Sequence, residues 1–301
     1  MFKPRPVEAR TPDERDSAES LAQTLPPLVL AAEHLVNAFD MGVHGRRRAG
    51  TGEDFWQFKR YGPDDSTTSI DWRQSAKREH VYIRQKEQET AETVWIWRDE
   101  ARTMAYGSET NGPSKLSRAT VLSLALALSL SKSGEKFGLL GQEEKASTGP
   151  ASFNRLVDRI VKMQTPSLRE LTSANRLSNK STIVLISDFL HELPEITETV
   201  RHFVNLGCNG YLLHIADPAE VDLPFQGRTR FLSMAAEDSL TLGRVEAVRE
   251  EYQSLFEAHR AAIMSLTENV SWDYDFHLTD EAAGNAFARL YEALNIRGAT
   301  K

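Results

Sequence analysis

The chain has 301 residues, 40% hydrophobic and 26% charged, a balance that permits a full core and excludes wholesale disorder. A formal charge of -7 argues against nucleic-acid binding, because the surface as a whole repels a phosphate backbone. One cysteine, Cys208, excludes an intrachain disulfide and every Cys-x-x-Cys metal site.

Residues 1–25 read as a charged, proline-containing lead-in, mobile or loosely helical, without the apolar stretch of a signal peptide. A cytoplasmic location is therefore expected. Pro26 and Pro27 suit the first turn of a helix, and Leu28, Ala31, Ala32, Leu35, Val36 and Phe39 follow at helical spacing. Glycines 42, 45, 50 and 52 end that helix and open a polar, arginine-rich loop.

Val81 to Ile83 reads as a strand, and the aromatic and β-branched run Thr93 to Trp97 as a central one covered on both faces. The most apolar segment, Ala119 to Leu130, would span only ~18 Å as a helix, against the ~20 residues a bilayer requires. A buried core helix is expected there, with no stable membrane insertion. A short strand at Phe137 to Leu140 and a helix capped by Ser152 come next. Strands at Thr182 to Ile186 and Gly210 to Ile215 follow, with a helix after Pro194 between them. Such alternation predicts an α/β fold with a parallel, Rossmann-like doubly wound sheet. Residues 219–243 interrupt it with a predicted small β-hairpin insertion. A helix, a strand at Ser271 to Leu278 and a last helix through Leu294 complete the chain.

Three aspartates stand just past predicted strands: Asp99, Asp188 and Asp217. Ligand sites of doubly wound sheets lie beyond the carboxyl ends of the strands, although aspartate there also serves as an ordinary helix cap. Arg98, Glu100 and Arg102 crowd the first of these loops and are the expected partner-binding charges. His214, inside an apolar strand, reads as a core residue. No Gly-x-Ser-x-Gly elbow or His-Glu-x-x-His helix occurs, and the glycine-flanked Arg46-Arg47-Arg48 loop lacks the lysine of a phosphate loop.

The stretch from Asp99 to Thr103 resembles the Asp-x-Ser-x-Ser metal-ion-dependent adhesion site of von Willebrand factor A domains. That resemblance implies Asp99, Thr103 and Asp188 as metal ligands. Ala101 replaces one hydroxyl, so Mg²⁺, which requires six oxygens, is expected to bind weakly or not at all. Thr148 is a candidate for the remaining loop threonine.

A longer signature precedes it. Gly50-x-Gly52-Glu53, Arg60-Tyr61, Asp65, Ile70-Asp71-Trp72-Arg73 and Arg78 are similar to the motif of the bacterial domain of unknown function family fifty-eight, encoded beside MoxR-type AAA+ ATPases. Asp64 stands where that motif has glycine. Glu53, Arg60, Tyr61, Asp65, Asp71, Trp72, Arg73 and Arg78 are expected to form a structural network, with Trp72 as a buried anchor. The resemblance implies an N-terminal helix and signature region over 26–92 and a von Willebrand factor A-type domain over 93–301. It further implies a non-enzymatic accessory protein whose partner is a MoxR-type ATPase or that ATPase's client. The alternative is a metal-dependent phosphoryl hydrolase built on Asp99. Against it, Ala101 stands where a dehalogenase-type site has its second aspartate.

Overall fold

A computed structural model describes residues 14–43, 55–62, 72–76, 81–86, 93–108, 112–141, 145–162, 165–173, 177, 181–233 and 239–299. Contacts divide the chain into two units, residues 41–91 and the remainder.

The larger unit is built on a five-stranded parallel sheet in the order β4-β3-β5-β6-β9. Its strands are β3 (Thr93–Arg98), β4 (Lys136–Leu139), β5 (Ser181–Ser187), β6 (Asn209–Ala216) and β9 (Asp273–Leu278). The chain runs outward from β3 to β4, then returns to β3's other side at β5. The topological switch point therefore lies between the carboxyl ends of β3 and β5.

Strand alternation sorts the side chains onto two faces. Val94, Ile96, Val184, Ile186, Leu213 and Ile215 meet α1 (Glu14–Val43), α3 (Lys115–Ser133), α4 (Gly149–Val161) and α8 (Ala283–Ala299). Trp95, Trp97, Ile183, Leu185 and Leu212 meet α5 (Leu193–Asn205) and α7 (Arg249–Asn269) on the other face. Every residue of β5 is buried, as a central strand requires.

Helix α3 is the expected buried helix. Leu122, Leu124 and Leu126 are fully enclosed, each contributing roughly 2 kcal/mol by burial. Ser114 caps its start by accepting from the Ser117 N–H (3.2 Å), and Gly134 ends it at φ 78°. Among the described residues no helix is long and apolar enough to cross a membrane.

Helix α1 begins at Glu14, upstream of Pro26 and Pro27, which corrects the expected helix start at the prolines; the lead-in is helical from Glu14, and residues 1–13 lie outside the described residues. The helix former-rich run Ala18 to Gln23 carries it through, and the prolines sit inside it. The boundary that grouped this helix with the signature region also shifts. Leu25, Ala32 and Val36 share a core with Phe287 and Leu290, and the Phe39 ring meets Phe287 edge-on at 5.3 Å. Helix α4 starts at Gly149 rather than from a Ser152 cap, its first turn set by Pro150.

Beyond β6, Asp217 caps the short α6 (Pro218–Asp222), and β7 (Thr229–Leu232) pairs antiparallel with β8 (Ser239–Leu242) in the predicted hairpin. Two packing details fix the sheet. Trp272 lies across Gly210, where an added Cβ would stand 2.0 Å from its ring. Ser147 bridges the outer side of β4 through paired backbone bonds with Phe137, each 3.1 Å.

In the smaller unit, β1 (Phe55–Arg60) pairs antiparallel with β2 (Tyr82–Lys86). A single turn, α2 (Trp72–Ser75), is tied to β2 where the Tyr82 N–H donates to Ser75 Oγ (2.9 Å). Trp72 is 69% exposed, which corrects its expected role as a buried anchor: the turn is too short to fold its first side chain inward. Arg60 is exposed as well, and Tyr61 is 36% exposed. Glu53, Asp65, Asp71 and Arg78 lie outside the described residues, as does the side chain of Arg73.

Candidate functional site at the carboxyl edge of the sheet

The switch point brings Asp99, from the end of β3, beside Asp188, from the end of β5. With His191 they offer three ligand-type atoms within 4.8 Å of one another. Both aspartates are buried. Ser187 Oγ donates to Asp99 Oδ2 (2.6 Å) and the Ala101 N–H to Asp99 Oδ1 (2.9 Å). Burial lifts the Asp99 carboxyl above the ordinary range, outweighing those bonds and the neighbouring His191.

Asp188 is served differently. The Leu190 N–H donates to its Oδ1 (3.2 Å), and the Lys115 ammonium to its Oδ2 (2.8 Å). Burial pushes this carboxyl up too, but Lys115, with hydrogen bonds from Thr103 and Leu190, outweighs burial and holds it below the usual value. Lys115 also bonds Glu220, whose backward reach to the Asp217 N–H (3.0 Å) completes the capping box of α6. One fully buried ammonium thus joins the start of α3, the end of β5 and α6.

The turn after β5 is strained, with buried Phe189 at φ 45°. Its N–H donates to Ser187 Oγ (2.9 Å), and its carbonyl meets His259 Nε2 at 2.8 Å. That turn swings His191 back until Nε2 stands 3.7 Å from Asp99 Oδ2, while Nδ1 has no partner among the described residues.

The sequence profile of the family described as "Protein of unknown function DUF58" matches residues 57–262. The chain belongs to the DUF58 family. No curated protein matches it. Two solved structures show a distant likeness: the conserved hypothetical protein BatB from Bacteroides thetaiotaomicron and an aerotolerance-related membrane protein from Bacteroides fragilis. Both are 14% identical over 68% of this chain and 98% of theirs, with TM-scores of 0.42 and 0.45.

The von Willebrand resemblance implies Asp99, Thr103 and Asp188 as ligands of one site; the structure brings Asp99 beside Asp188 and hydrogen-bonds Thr103 to Asp188. Thr148 is not there: it stands at the start of α4, next to Ser147, whose partner Phe137 lies near the amino end of β4. Asp217 is a helix cap, accepting from the Ala219 N–H (2.9 Å) and Ser108 N–H (2.9 Å).

The charged loop needs correction. Arg98 is fully buried, bonded to Thr120 Oγ1 (2.7 Å) and paired with Glu100. Glu100 turns inward as well, accepting from the Thr165 N–H (3.1 Å) and hydroxyl (2.9 Å). Only Arg102 of the three is exposed. Arg98 shares strand parity with Val94 and Ile96, which directs it under α3.

His191, Lys115 and Glu220 were missed. Lysine in the first turn of a helix opposes the helix dipole, and that was the available signal for Lys115. Nor do the donors fit the Mg²⁺ that the von Willebrand resemblance implies. Ala101 supplies no side-chain oxygen, each Asp99 oxygen already accepts a hydrogen bond, and Asp188 Oδ2 is held by the Lys115 ammonium, whose charge opposes a second cation.

Proposed function

We propose that this DUF58 chain is a non-catalytic adaptor that grips a protein partner in the cytoplasm, with Trp72 as its docking anchor. The observation that carries this reading is the 69% exposure of a tryptophan inside the family's signature. A side chain that size gains little from water and much from a partner's pocket, and tryptophan is over-represented among residues that dominate binding energy. The partner implied by the sequence resemblance is a MoxR-type AAA+ ATPase or its client.

The von Willebrand factor A-type character of the larger unit belongs to the same proposal. The competing phosphoryl hydrolase has the convergence of Asp99, Asp188 and His191 in its favour. Against it stand Ala101 and the Lys115 ammonium already bonded to Asp188.

The experiment is titration of the purified chain with a MoxR-type ATPase from the same organism. Trp72→Ala is expected to weaken that complex by roughly 30-fold or more with an unchanged melting temperature. Equal binding by Trp72→Ala, or Mg²⁺-dependent turnover of a phosphate ester that Asp99→Asn abolishes, would overturn the proposal.

A further inference from the structure

We infer that the Lys115 ammonium is the built-in cation partner of Asp188 at the switch point, and that it withholds this carboxylate from any divalent metal. This goes beyond the adaptor proposal and does not depend on it.

The placement of Lys115 is costly by local rules. It opens α3, where the helix dipole disfavours a positive charge, and it is fully buried, where an ammonium loses its hydration. Both costs are offset in one place. The Nζ bonds Asp188 Oδ2 at 2.8 Å, also bonds Glu220, and lies 5.9 Å from the centre of the Tyr106 ring. It gathers Asp188, just past the end of β5, and Glu220, in α6, and so occupies one of the two carboxylates that a metal ion at this edge would use.

The difference is chemical. A tethered single charge cannot exchange, has no fixed coordination geometry and needs no sixth oxygen, so the alanine at position 101 costs it nothing. Ala101 then follows from Lys115 rather than limiting the site on its own. Restoring the hydroxyl alone leaves Asp188 bonded to Lys115.

Mn²⁺ binding followed by paramagnetic resonance, alongside thermal melts in Mg²⁺ and in chelator, tests this. The natural chain and Ala101→Ser are expected to bind no Mn²⁺ at millimolar concentration and to melt identically in both buffers. Lys115→Met should lower Tm by roughly 10 °C, since it strands the buried Asp188 and the partly buried Glu220. Millimolar Mn²⁺ should then bind this variant and restore most of the loss. Should Lys115→Met fail to fold, Lys115→Gln, whose amide keeps a hydrogen bond to Asp188, takes its place. Stoichiometric Mn²⁺ on the natural chain that Asp188→Asn removes would overturn the inference. So would a folded Lys115 variant that gains no Mn²⁺.

Discussion

Asp99 and Asp188 have the same chemistry and nearly the same burial, yet their ionisation acts on the fold with opposite signs. Asp188 is held below the ordinary carboxylate range, so its contribution is complete above the unfolded value near 4 and disappears as pH falls through its lower folded value. Asp99 is raised, so its charge weakens the native state at neutral pH, and that penalty fades as pH falls through the raised value. Asp188→Asn is therefore expected to cost about 3 kcal/mol at neutral pH by uncoupling Lys115, and less in acid. Asp99→Asn keeps the shape that meets Ser187 and Ala101 and should be neutral or stabilising, with its advantage shrinking on acidification. Urea unfolding of both variants at neutral and mildly acidic pH checks the pair; a loss of similar size in both would contradict it. Buried His214 belongs to the same physics. Desolvation drives it down to about 3, and the neutral ring meets the Tyr274 hydroxyl at 2.8 Å.

Among the elements, the central strands were legible because their chemistry repeats on both faces. Thr93 to Trp97 and Thr182 to Ile186 admit no polar face, so a doubly covered sheet follows. Legible too was the clustering of Asp99 and Asp188, because strand ends at a switch point must converge. The buried charges were not. A lysine opening α3 and an arginine closing β3 look solvated in one dimension, and only the packing of α3 over the sheet reveals what they meet. Trp72 misled in the other direction: aromatic character argued for burial, whereas a one-turn helix offers nothing to bury it against. The β6–β9 pairing rests on Gly210, over which Trp272 lies while its indole N–H donates to the Cys208 carbonyl (3.2 Å). Gly210→Ala should displace that indole and cost about 3 kcal/mol, read as a lower urea midpoint with an unchanged slope. A midpoint equal to the natural chain's would show that Trp272 can move without loss.

For the whole molecule, the division into two units has a direct consequence. Helix α1 and β3 lie in the same unit although residues 41–91 separate them in sequence, and the larger unit contains both hydrophobic clusters. Replacing 41–91 by a flexible glycine-serine linker should therefore leave a cooperatively melting α/β protein with native helical content. Under the adaptor proposal the same deletion abolishes partner binding. Circular dichroism melts separate the outcomes, and loss of cooperative melting would show that the smaller unit is needed for folding.

The bridge between Ser147 and Phe137 bears on how such a protein behaves when crowded. An open five-stranded sheet has two rims, and an unpaired rim is a template on which another copy can polymerise. At the β4 rim the chain's own returning segment takes up part of the strand's outer hydrogen-bonding capacity, and the strand is four residues long. The β9 rim carries Asp273 and the ion pair of Asp275 with Arg289 (2.9 Å) within a six-residue strand, so an identical strand laid alongside would have to accommodate charged groups. One rim is blunted by geometry and the other by electrostatics, and the second defence alone is sensitive to salt and acid. Runaway strand-to-strand growth of this protein would start from β9, in acid or at high ionic strength.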